Sequence, residues 1–239
     1  MKVFLLAHQD DEIFFLPHII NSDKKLFIYL TNGVSSNSPN TILGKRTSEA
    51  NFVFEKYLEA LNSQVLWWGL ENSISEGQLH KHVNRELVDS LKVKITSLGG
   101  NIDTFLTTTF EGAHQDHDAV AVITRKLDEI FQVGIIEIST YPQWISKIYS
   151  FKVLSPRLPM IQYPFNRIKV LIMATRMMVS YKTQLRTWLG LGPAMLNAFA
   201  FRKYGSSTPT PIGVSKSCFY EFRGRANQNE VLKSLMGLN

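Results

Sequence analysis

Two short segments of the chain, residues 7–12 and 111–118, concentrate the side chains that could do chemistry. The first reads Ala-His-Gln-Asp-Asp-Glu and the second reads Glu-Gly-Ala-His-Gln-Asp-His-Asp. Imidazole nitrogens and carboxylate oxygens are normal ligands of zinc, and a catalytic zinc usually keeps three protein ligands and one open position. The chain has a single cysteine, Cys218, so a cluster of thiolate ligands is excluded. The two segments therefore predict a hydrolytic metal site.

His8 and Asp11, three residues apart across a predicted strand-to-helix turn, can supply two of the ligands. His114 or His117 can supply the third. A second histidine and a second carboxylate then remain close by, as proton transfer during hydrolysis requires. Each segment alone also fits a plainer interpretation, because acidic residues stabilise the N-terminus of a helix. Two such segments, each at the end of a predicted strand, favour a catalytic site over two separate helix N-termini.

The elements around these segments predict how they meet. Apolar runs typical of buried strands cover residues 2–7, 25–31, 64–68, 103–108 and 133–138. Helical patterns lie at residues 11–20, 41–61, 79–98, 116–131 and 166–188, and residues 217–222 read as a late strand. Strands alternating with helices predict a Rossmann-like α/β fold, a parallel sheet with helices on both faces. Strands one and four flank the switch point of such a sheet, so their carboxyl ends open into one crevice.

The net charge of +6 is unevenly distributed. Residues 1–140 hold 12 Lys and Arg against 18 Asp and Glu, whereas residues 141–239 hold 14 against 2. We expect one domain over residues 1–239, with residues 1–140 as the Rossmann-like core and the rest as a small basic C-terminal elaboration. The basic part indicates an anionic partner, such as a phosphate-bearing sugar or membrane headgroups. A solvated basic face is the plainer interpretation.

The sequence predicts a cytoplasmic protein, with peripheral contact at the inner membrane face through the basic C-terminal region. Residues 1–7 form only a short apolar run, and acidic residues follow at once, unlike a secretory signal. Residues 168–179 form the most apolar later segment, but Lys169 and Arg176 interrupt it. That segment falls short of the roughly 20 apolar residues that a membrane-spanning helix needs. The loop over residues 33–40, which follows the second strand, is predicted to act as a lid over the substrate.

The two segments resemble the metal-binding motifs of the LmbE/PIG-L family of zinc-dependent N-deacetylases. Members carry Ala-His-Pro-Asp-Asp-Glu after the first strand and His-Pro-Asp-His later, on a Rossmann-like fold. Residues 46–50 (Arg-Thr-Ser-Glu-Ala) are similar to the family's Arg-x-x-Glu helix, and Trp-Gly at 68–69 stands in the place of a Leu-Gly pair. Residues 181–184 are similar to a helix near the end of many members. The resemblance covers roughly the first 190 residues, although only the two metal motifs are specific.

The resemblance implies a role for each residue of the first motif. His8 and Asp11, together with His117 of the second motif, would hold zinc or another divalent ion. Asp10 would be the general base that deprotonates a zinc-bound water, which then attacks the amide. The implied reaction removes the N-acetyl group from an amino sugar or a glycoconjugate, of the kind made in glycan or glycolipid assembly.

The other implied roles belong to three residues. His114 would stabilise the oxyanion or protonate the leaving amine, and Asp116 would orient His114. Arg46 matches a residue that contacts the sugar in some members. Gln9 and Gln115 stand where the family usually has proline, so each position gains a donor and loses a rigid ring, while no ligand group is lost.

The substrate stays open at this point, because residues 70–77 differ from the family's aspartate-containing turn. An amidase acting on a thiol–sugar conjugate or another N-acyl compound is one alternative. A basic binding module for nucleic acid or membrane is another, but it leaves the two motifs unexplained, and no nucleic-acid partner is expected. A dinucleotide enzyme is excluded because no Gly-x-Gly-x-x-Gly follows the first strand.

Overall fold

A central parallel sheet organises the protein. The computed structural model describes residues 1–140, 161–162, 164–200, 205–206 and 225–237, and the predicted strand at 217–222 lies outside these ranges. The sheet strands are β1 (Lys2–Leu6), β2 (Lys25–Tyr29), β3 (Ser63–Leu66), β4 (Thr104–Thr108) and β5 (Ile135–Ile138). Their order is β3-β2-β1-β4-β5, and every neighbouring pair is parallel. All five predicted strands are confirmed.

Helices connect and cover these strands. They are α1 (Leu16–Ile20), α2 (Asn40–Val53), α3 (Trp68–Glu71), α4 (Leu79–His82), α5 (Arg85–Ser97), α6 (Gln115–Phe131), α7 (Arg167–Ser180), α8 (Leu185–Ala200) and α9 (Gln228–Met236). Two short strands, β6 (Ile161–Gln162) and β7 (Gly205–Ser206), pair antiparallel outside the main sheet. Within the described ranges, no helix is long and apolar enough to cross a membrane.

The sheet carries a hydrophobic core on each face. Along β1 the side chains alternate: Phe4 and Leu6 pack with α1, α2, α7 and α8, whereas Val3 and Leu5 pack with α4, α5, α6 and α9. All four side chains are fully buried. A parallel sheet buried on both faces reads as a continuous apolar run, which is why the strands were visible in the sequence. The predicted Rossmann-like α/β fold is confirmed.

The prediction of one long helix over residues 166–188 is wrong. Helix α7 ends at Ser180, Tyr181 leaves the helical conformation with φ −82° and ψ 71°, and a single 3-10 turn leads into α8. Amphipathic spacing continues across the break, because both helices bury apolar residues in the same core. A distant residue stabilises the break: the Glu49 carboxylate on α2 accepts hydrogen bonds from the Thr183 N–H (3.0 Å) and the Thr183 hydroxyl (2.5 Å).

Three other predicted helices are shorter than expected. The one predicted over 11–20 begins with a 3-10 turn (Asp11–Phe15), and only Leu16–Ile20 is α-helical. After Val53, α2 passes into a π-helical turn (Phe54–Leu58) and then a 3-10 turn (Glu59–Leu61). The predicted helix at 79–98 is divided into α4 and α5, because the Asn84 side chain caps α5 by accepting from the Leu87 N–H at 2.8 Å.

A glycine in α3 lets this helix lie directly against the main chain at the end of β2. A Cβ atom on Gly69 would lie 2.2–2.4 Å from main-chain atoms of Thr31. Thr31 in turn donates to the Ala7 carbonyl through its N–H (3.0 Å) and its hydroxyl (2.7 Å). The close packing of Gly69 on Thr31 therefore helps to fix Ala7, the residue that precedes His8.

Replacing Gly69→Ala is expected to lower the free energy of unfolding by about 1–3 kcal/mol, because main chain has to move to admit the methyl group. The matched control is Gly44→Ala in the interior of α2, where a Cβ atom meets nothing within 4 Å. That change should raise stability by about 0.5–1 kcal/mol through helix propensity. Urea unfolding followed by circular dichroism measures both, and equal effects of the two substitutions would contradict the close approach.

Candidate active site

The segment after β1 makes a strained turn. Asp10 has φ 126° and ψ −14°, a conformation that L-residues rarely adopt and that costs about 1–3 kcal/mol. Side chains of its neighbours hold the turn: the Asp10 N–H donates to Glu12 Oε2 at 3.0 Å, and the His8 N–H donates to Asp11 Oδ2 at 2.8 Å. Strain of this kind persists only where surrounding contacts fix it, and it is common at active sites.

Glu12 anchors this turn in the core. Its side chain is fully buried and accepts the hydroxyl of Tyr29 at 2.9 Å and that of Tyr181 at 2.6 Å. Burial raises the pKa of the Glu12 carboxyl, and the hydrogen bonds from the two tyrosines oppose that shift. Tyr29 ends β2 and Tyr181 lies in the turn between α7 and α8, so Glu12 joins the first motif to both.

Three side chains from the two motifs form a buried group that can hold a metal ion. His8, Asp11 and His117 each offer a ligand atom, and these atoms lie within 4.8 Å of one another. Asp11 lies between the rings, with Oδ2 3.5 Å from His8 Nδ1 and Oδ1 3.3 Å from His117 Nε2. Burial disfavours the charged form of Asp11, but the His117 and His8 imidazoles hold its pKa well below the usual range. The site thus keeps a carboxylate between two imidazoles.

The opposite nitrogen of each ring has its own partner. His8 Nε2 lies 3.1 Å from Asp116 Oδ2, and His117 Nδ1 lies 3.5 Å from the Thr140 hydroxyl oxygen. That hydroxyl donates to Glu111 Oε1 at 2.6 Å. If these outer nitrogens carry the ring protons, the lone pairs of His8 Nδ1 and His117 Nε2 face Asp11. Such outer partners orient histidine ligands in metal sites.

Asp116 contacts both His114 and His8. Its main-chain N–H donates to His114 Nδ1 at 3.2 Å, whereas its carboxylate binds His8. The same carboxylate accepts the N–H groups of Gly77 (2.5 Å) and Leu79 (3.1 Å). The Asp116 side chain thus holds His8 and the loop before α4, and its Oδ2 also lies 3.9 Å from His114 Nδ1. That Asp116 orients His114 in catalysis stays a prediction.

His114 caps α6 and lies at the rim of the metal group. Its ring centroid is 4.7 Å from that of His8, and its Nε2 lies 3.8 Å from Glu76 Oε1. Burial lowers the pKa of His114, and Glu76 opposes that shift. Glu76 was not predicted, because it lies outside both motifs, in the segment (residues 70–77) that departs from the family pattern. His8, Glu76 and His114 form a second group with metal-ligand spacing, but it is less buried and His8 Nε2 is already bound to Asp116.

Asp10 and Arg46 lie together beside the metal group. Arg46 is only 2% exposed, and its Nη2 is 3.6 Å from Asp10 Oδ1. Burial raises the pKa of Asp10, and the Arg46 guanidinium opposes that shift. Among the described residues, Arg46 Nε and Nη1 have no hydrogen-bond partner. Arg46 therefore lies beside Asp10 with two buried nitrogens that lack a hydrogen-bond partner among the described residues, and its contact with a sugar stays a prediction.

The two glutamines at the expected proline positions each reach a neighbouring loop. Gln9 Nε2 donates to the Thr31 carbonyl at 3.3 Å, and Gln115 Nε2 donates to the Gly77 carbonyl at 3.4 Å. The predicted lid, residues 33–40, is attached at its start, because the Glu76 N–H donates to the Val34 carbonyl at 2.8 Å. The rest of that loop is mostly exposed, and its role as a lid stays a prediction.

The fold and the site thus define an α/β protein in which a buried His/Asp/His group, able to hold a metal ion, lies at the switch point of a parallel sheet with acid–base groups beside it. Residues 3–127 match the model of the PIG-L family, described as GlcNAc-PI de-N-acetylase. The chain belongs to this family of amide-hydrolysing enzymes, as its two motifs predicted. Among curated proteins, none matches the sequence.

Solved structures with a similar fold include three deacetylases. A triple mutant of a deacetylase from the teicoplanin biosynthetic pathway has a TM-score of 0.61 at 14% identity, covering 86% of this chain and 94% of that one. The zinc-inhibited form of teicoplanin deacetylase has 0.58 at 13%, covering 86% and 96%. N,N'-diacetylchitobiose deacetylase from Pyrococcus horikoshii, bound to an inhibitor, has 0.57 at 12%, covering 86% and 82%. Because the sequence identities are this low, the structural similarity supports the fold alone.

The geometry predicts the metal content of the purified protein. Wild type should bind about one divalent ion per chain. His117→Ala should lose most of it, and Asp116→Asn should weaken affinity about 10–100-fold, since it removes the acceptor behind His8. The exposed His82→Ala is the matched control. Elemental analysis after dialysis against a buffered metal measures the metal content of all four proteins. A wild type that binds neither zinc nor another divalent ion would contradict the assignment.

Proposed function

We propose that the protein is a metal-dependent N-deacetylase that removes the acetyl group from an N-acetylated amino sugar or glycoconjugate. The observation that carries this proposal is the buried group of His8, Asp11 and His117 with Asp10 and His114 at its edge. Family membership supports the reaction class, since the family is described by the deacetylation of an N-acetylglucosamine lipid. The deacetylases of teicoplanin biosynthesis and of N,N'-diacetylchitobiose share the fold.

The donor set fits zinc or another divalent ion of similar preference. Two imidazoles and one carboxylate are a common triad for catalytic zinc, and all three side chains are buried at the crevice where the two motifs meet. When bound, such an ion polarises the amide carbonyl and lowers the pKa of water. A similar fold is known in a zinc-inhibited form, so metal should be added to assays in measured equivalents.

Asp10 is the residue that we propose takes the proton from the attacking water. It lies next to Asp11 in the strained turn, and it is not part of the proposed ligand set. Burial raises its pKa, which brings the carboxylate closer to the range that a general base needs near neutral pH. The N–H bond to Glu12 fixes the main chain that carries it.

His114 is proposed to stabilise the oxygen of the amide as it becomes negative. Its Nδ1 accepts the Asp116 N–H, so the neutral ring carries its proton on Nε2. A fixed N–H donor in a buried site stabilises an oxyanion strongly. With this donor used by the oxyanion, we propose that Asp10 returns the proton to the departing amine.

Arg46 would bind the polar part of the substrate. Its Nε and Nη1 are buried without a partner among the described residues, and a sugar hydroxyl or a phosphate oxygen would satisfy them. We propose that a phosphate-bearing or lipid-linked amino sugar is preferred. Acetate release from N-acetylglucosamine, from its diphosphate-linked form and from a thiol–sugar conjugate distinguishes these substrates; equal rates on the first two would contradict the phosphate preference.

Asp10→Asn should lower kcat for acetate release by about 10²–10⁴-fold, because the amide side chain cannot accept the proton of water. Metal content should stay at the wild-type level, since Asp10 is outside the ligand set. Asp23→Asn makes the same chemical change on an exposed side chain and should leave kcat unaltered. A wild-type rate in Asp10→Asn would overturn the proposed base.

Tyr181→Phe removes the 2.6 Å bond to Glu12 and is expected to reduce unfolding free energy by about 1.5–3 kcal/mol, as for hydrogen bonds to charged groups. Because Glu12 also holds the Asp10 N–H, kcat should fall about tenfold or less, while KM and metal content change little. Tyr57→Phe, a half-buried tyrosine outside the site, is the control. If stability falls but kcat does not, Glu12 supports the fold without positioning Asp10.

A further inference from the structure

Helix α7 is apolar on two opposite sides. Its inner stripe packs in the core and consists of Val170, Ala174, Met177 and Met178. Its outer stripe consists of Ile168, Ile172 and Val179, which are 72%, 48% and 59% exposed. At 3.6 residues per turn these three fall within a narrow arc of the helix surface. An outward stripe of this kind marks a site where the protein contacts something apolar.

Cations flank the outer stripe of α7. Lys169 and Arg176 are exposed on one side of the arc. Between residues 164 and 200 the chain has five Lys and Arg and no Asp or Glu. The combination of exposed aliphatic side chains and unopposed positive charge differs from an ordinary solvated helix face, where charges of both signs cover the surface.

A groove of about 480 Å³ lies between this stripe and the π-helical turn after α2. It is lined by apolar side chains (Tyr57, Leu61, Ile168, Ile172, Met173), by three cations (Lys56, Lys169, Arg176) and by Asn166. The Lys56 ammonium lies 4.8 Å from the centroid of the Phe52 ring, which is itself 46% exposed. None of the residues that line the groove carries a carboxylate.

Helix α8, which packs beside α7, also exposes aliphatic side chains. Leu185 and Leu189, one turn apart, are 45% and 71% exposed, and Arg186 is exposed between them. Both helices bury their inner sides in the same core cluster, so their outer sides point away from it. The turn that joins them contains Tyr181, whose hydroxyl binds Glu12 beside the metal group.

We propose that this face, the outer sides of α7 and α8 with the groove beside Lys56, docks the protein on the surface of an anionic lipid bilayer. Aliphatic side chains enter the boundary between headgroups and acyl chains, and the cations contact lipid phosphates. An apolar protein partner would not require three cations in a groove that no carboxylate lines, and a nucleic acid would not require the aliphatic stripe. This docking proposal is argued from the exposed side chains and their charges, and it does not depend on the proposed deacetylase activity.

Vesicle flotation tests the proposal with the full-length, metal-loaded protein. One set of vesicles is pure phosphatidylcholine, and the other contains equal parts of phosphatidylcholine and phosphatidylglycerol. Wild type should float with the second set alone. Ile168→Ser/Ile172→Ser and Lys169→Glu/Arg176→Glu should each weaken binding by about tenfold or more.

The matched control carries Val93→Ser and Lys92→Glu on α5, where Val93 is 67% exposed, and it should bind like wild type. Acetate release from soluble N-acetylglucosamine, measured on the same preparations, should be equal in all variants. An inactive wild type that still floats would reject the proposed function and leave the docking surface supported.

Three results would overturn the docking surface. The first is equal flotation, or none, with the two sets of vesicles. The second is wild-type binding by the serine variant, which would leave an attraction of charge alone. The third is competition by inorganic phosphate or duplex DNA at concentrations that match the lipid phosphate, which would identify a general anion site instead of a bilayer surface.

Discussion

The buried carboxylate of Glu12 is the constraint on which the active site depends. It accepts the main-chain N–H of Asp10 and the hydroxyls of Tyr29 and Tyr181, so one side chain joins the first motif, the central sheet and the α7–α8 turn. A buried carboxylate is tolerated only while its oxygens are satisfied, and loss of one donor leaves a costly unpaired acceptor. The three bonds therefore also hold Asp10 in a main-chain conformation that it would not keep by itself.

A second set of contacts surrounds the metal group and links it to its loops. Asp116 binds His8 and also the main chain at Gly77 and Leu79, so the loop that carries Glu76 is fastened to a residue behind a ligand. On the other side, the Thr140 hydroxyl contacts His117 Nδ1 and donates to the buried Glu111 carboxylate. Each imidazole is thus held from outside the site, which leaves its inner nitrogen facing Asp11.

The parts of this arrangement that are local in sequence were predictable, and the long-range parts were not. Two dense polar motifs at strand ends, together with apolar runs buried on both faces, predicted the five strands, the fold and the residues brought together. Glu76 lies outside both motifs, and the resemblance of residues 181–184 to a family helix assigned no role to the Tyr181 hydroxyl. The roles of these two residues come from contacts with His114 and Glu12. The helix break at Tyr181 was missed for the same reason, because apolar spacing runs through it without interruption.

The bond from Tyr181 to Glu12 spans 169 residues, and this separation sets an order for biosynthesis. The first motif leaves the ribosome early and the ligand His117 follows, yet the donor that completes the Glu12 environment is made only after three-quarters of the chain. Contacts so distant in sequence form late, because a long loop must close first. A nascent chain that ends before α7 therefore carries the three candidate ligands without the Tyr181 donor, and the hydrogen bonds around Glu12 are complete only after α7 and the turn that follows it have been synthesised and packed.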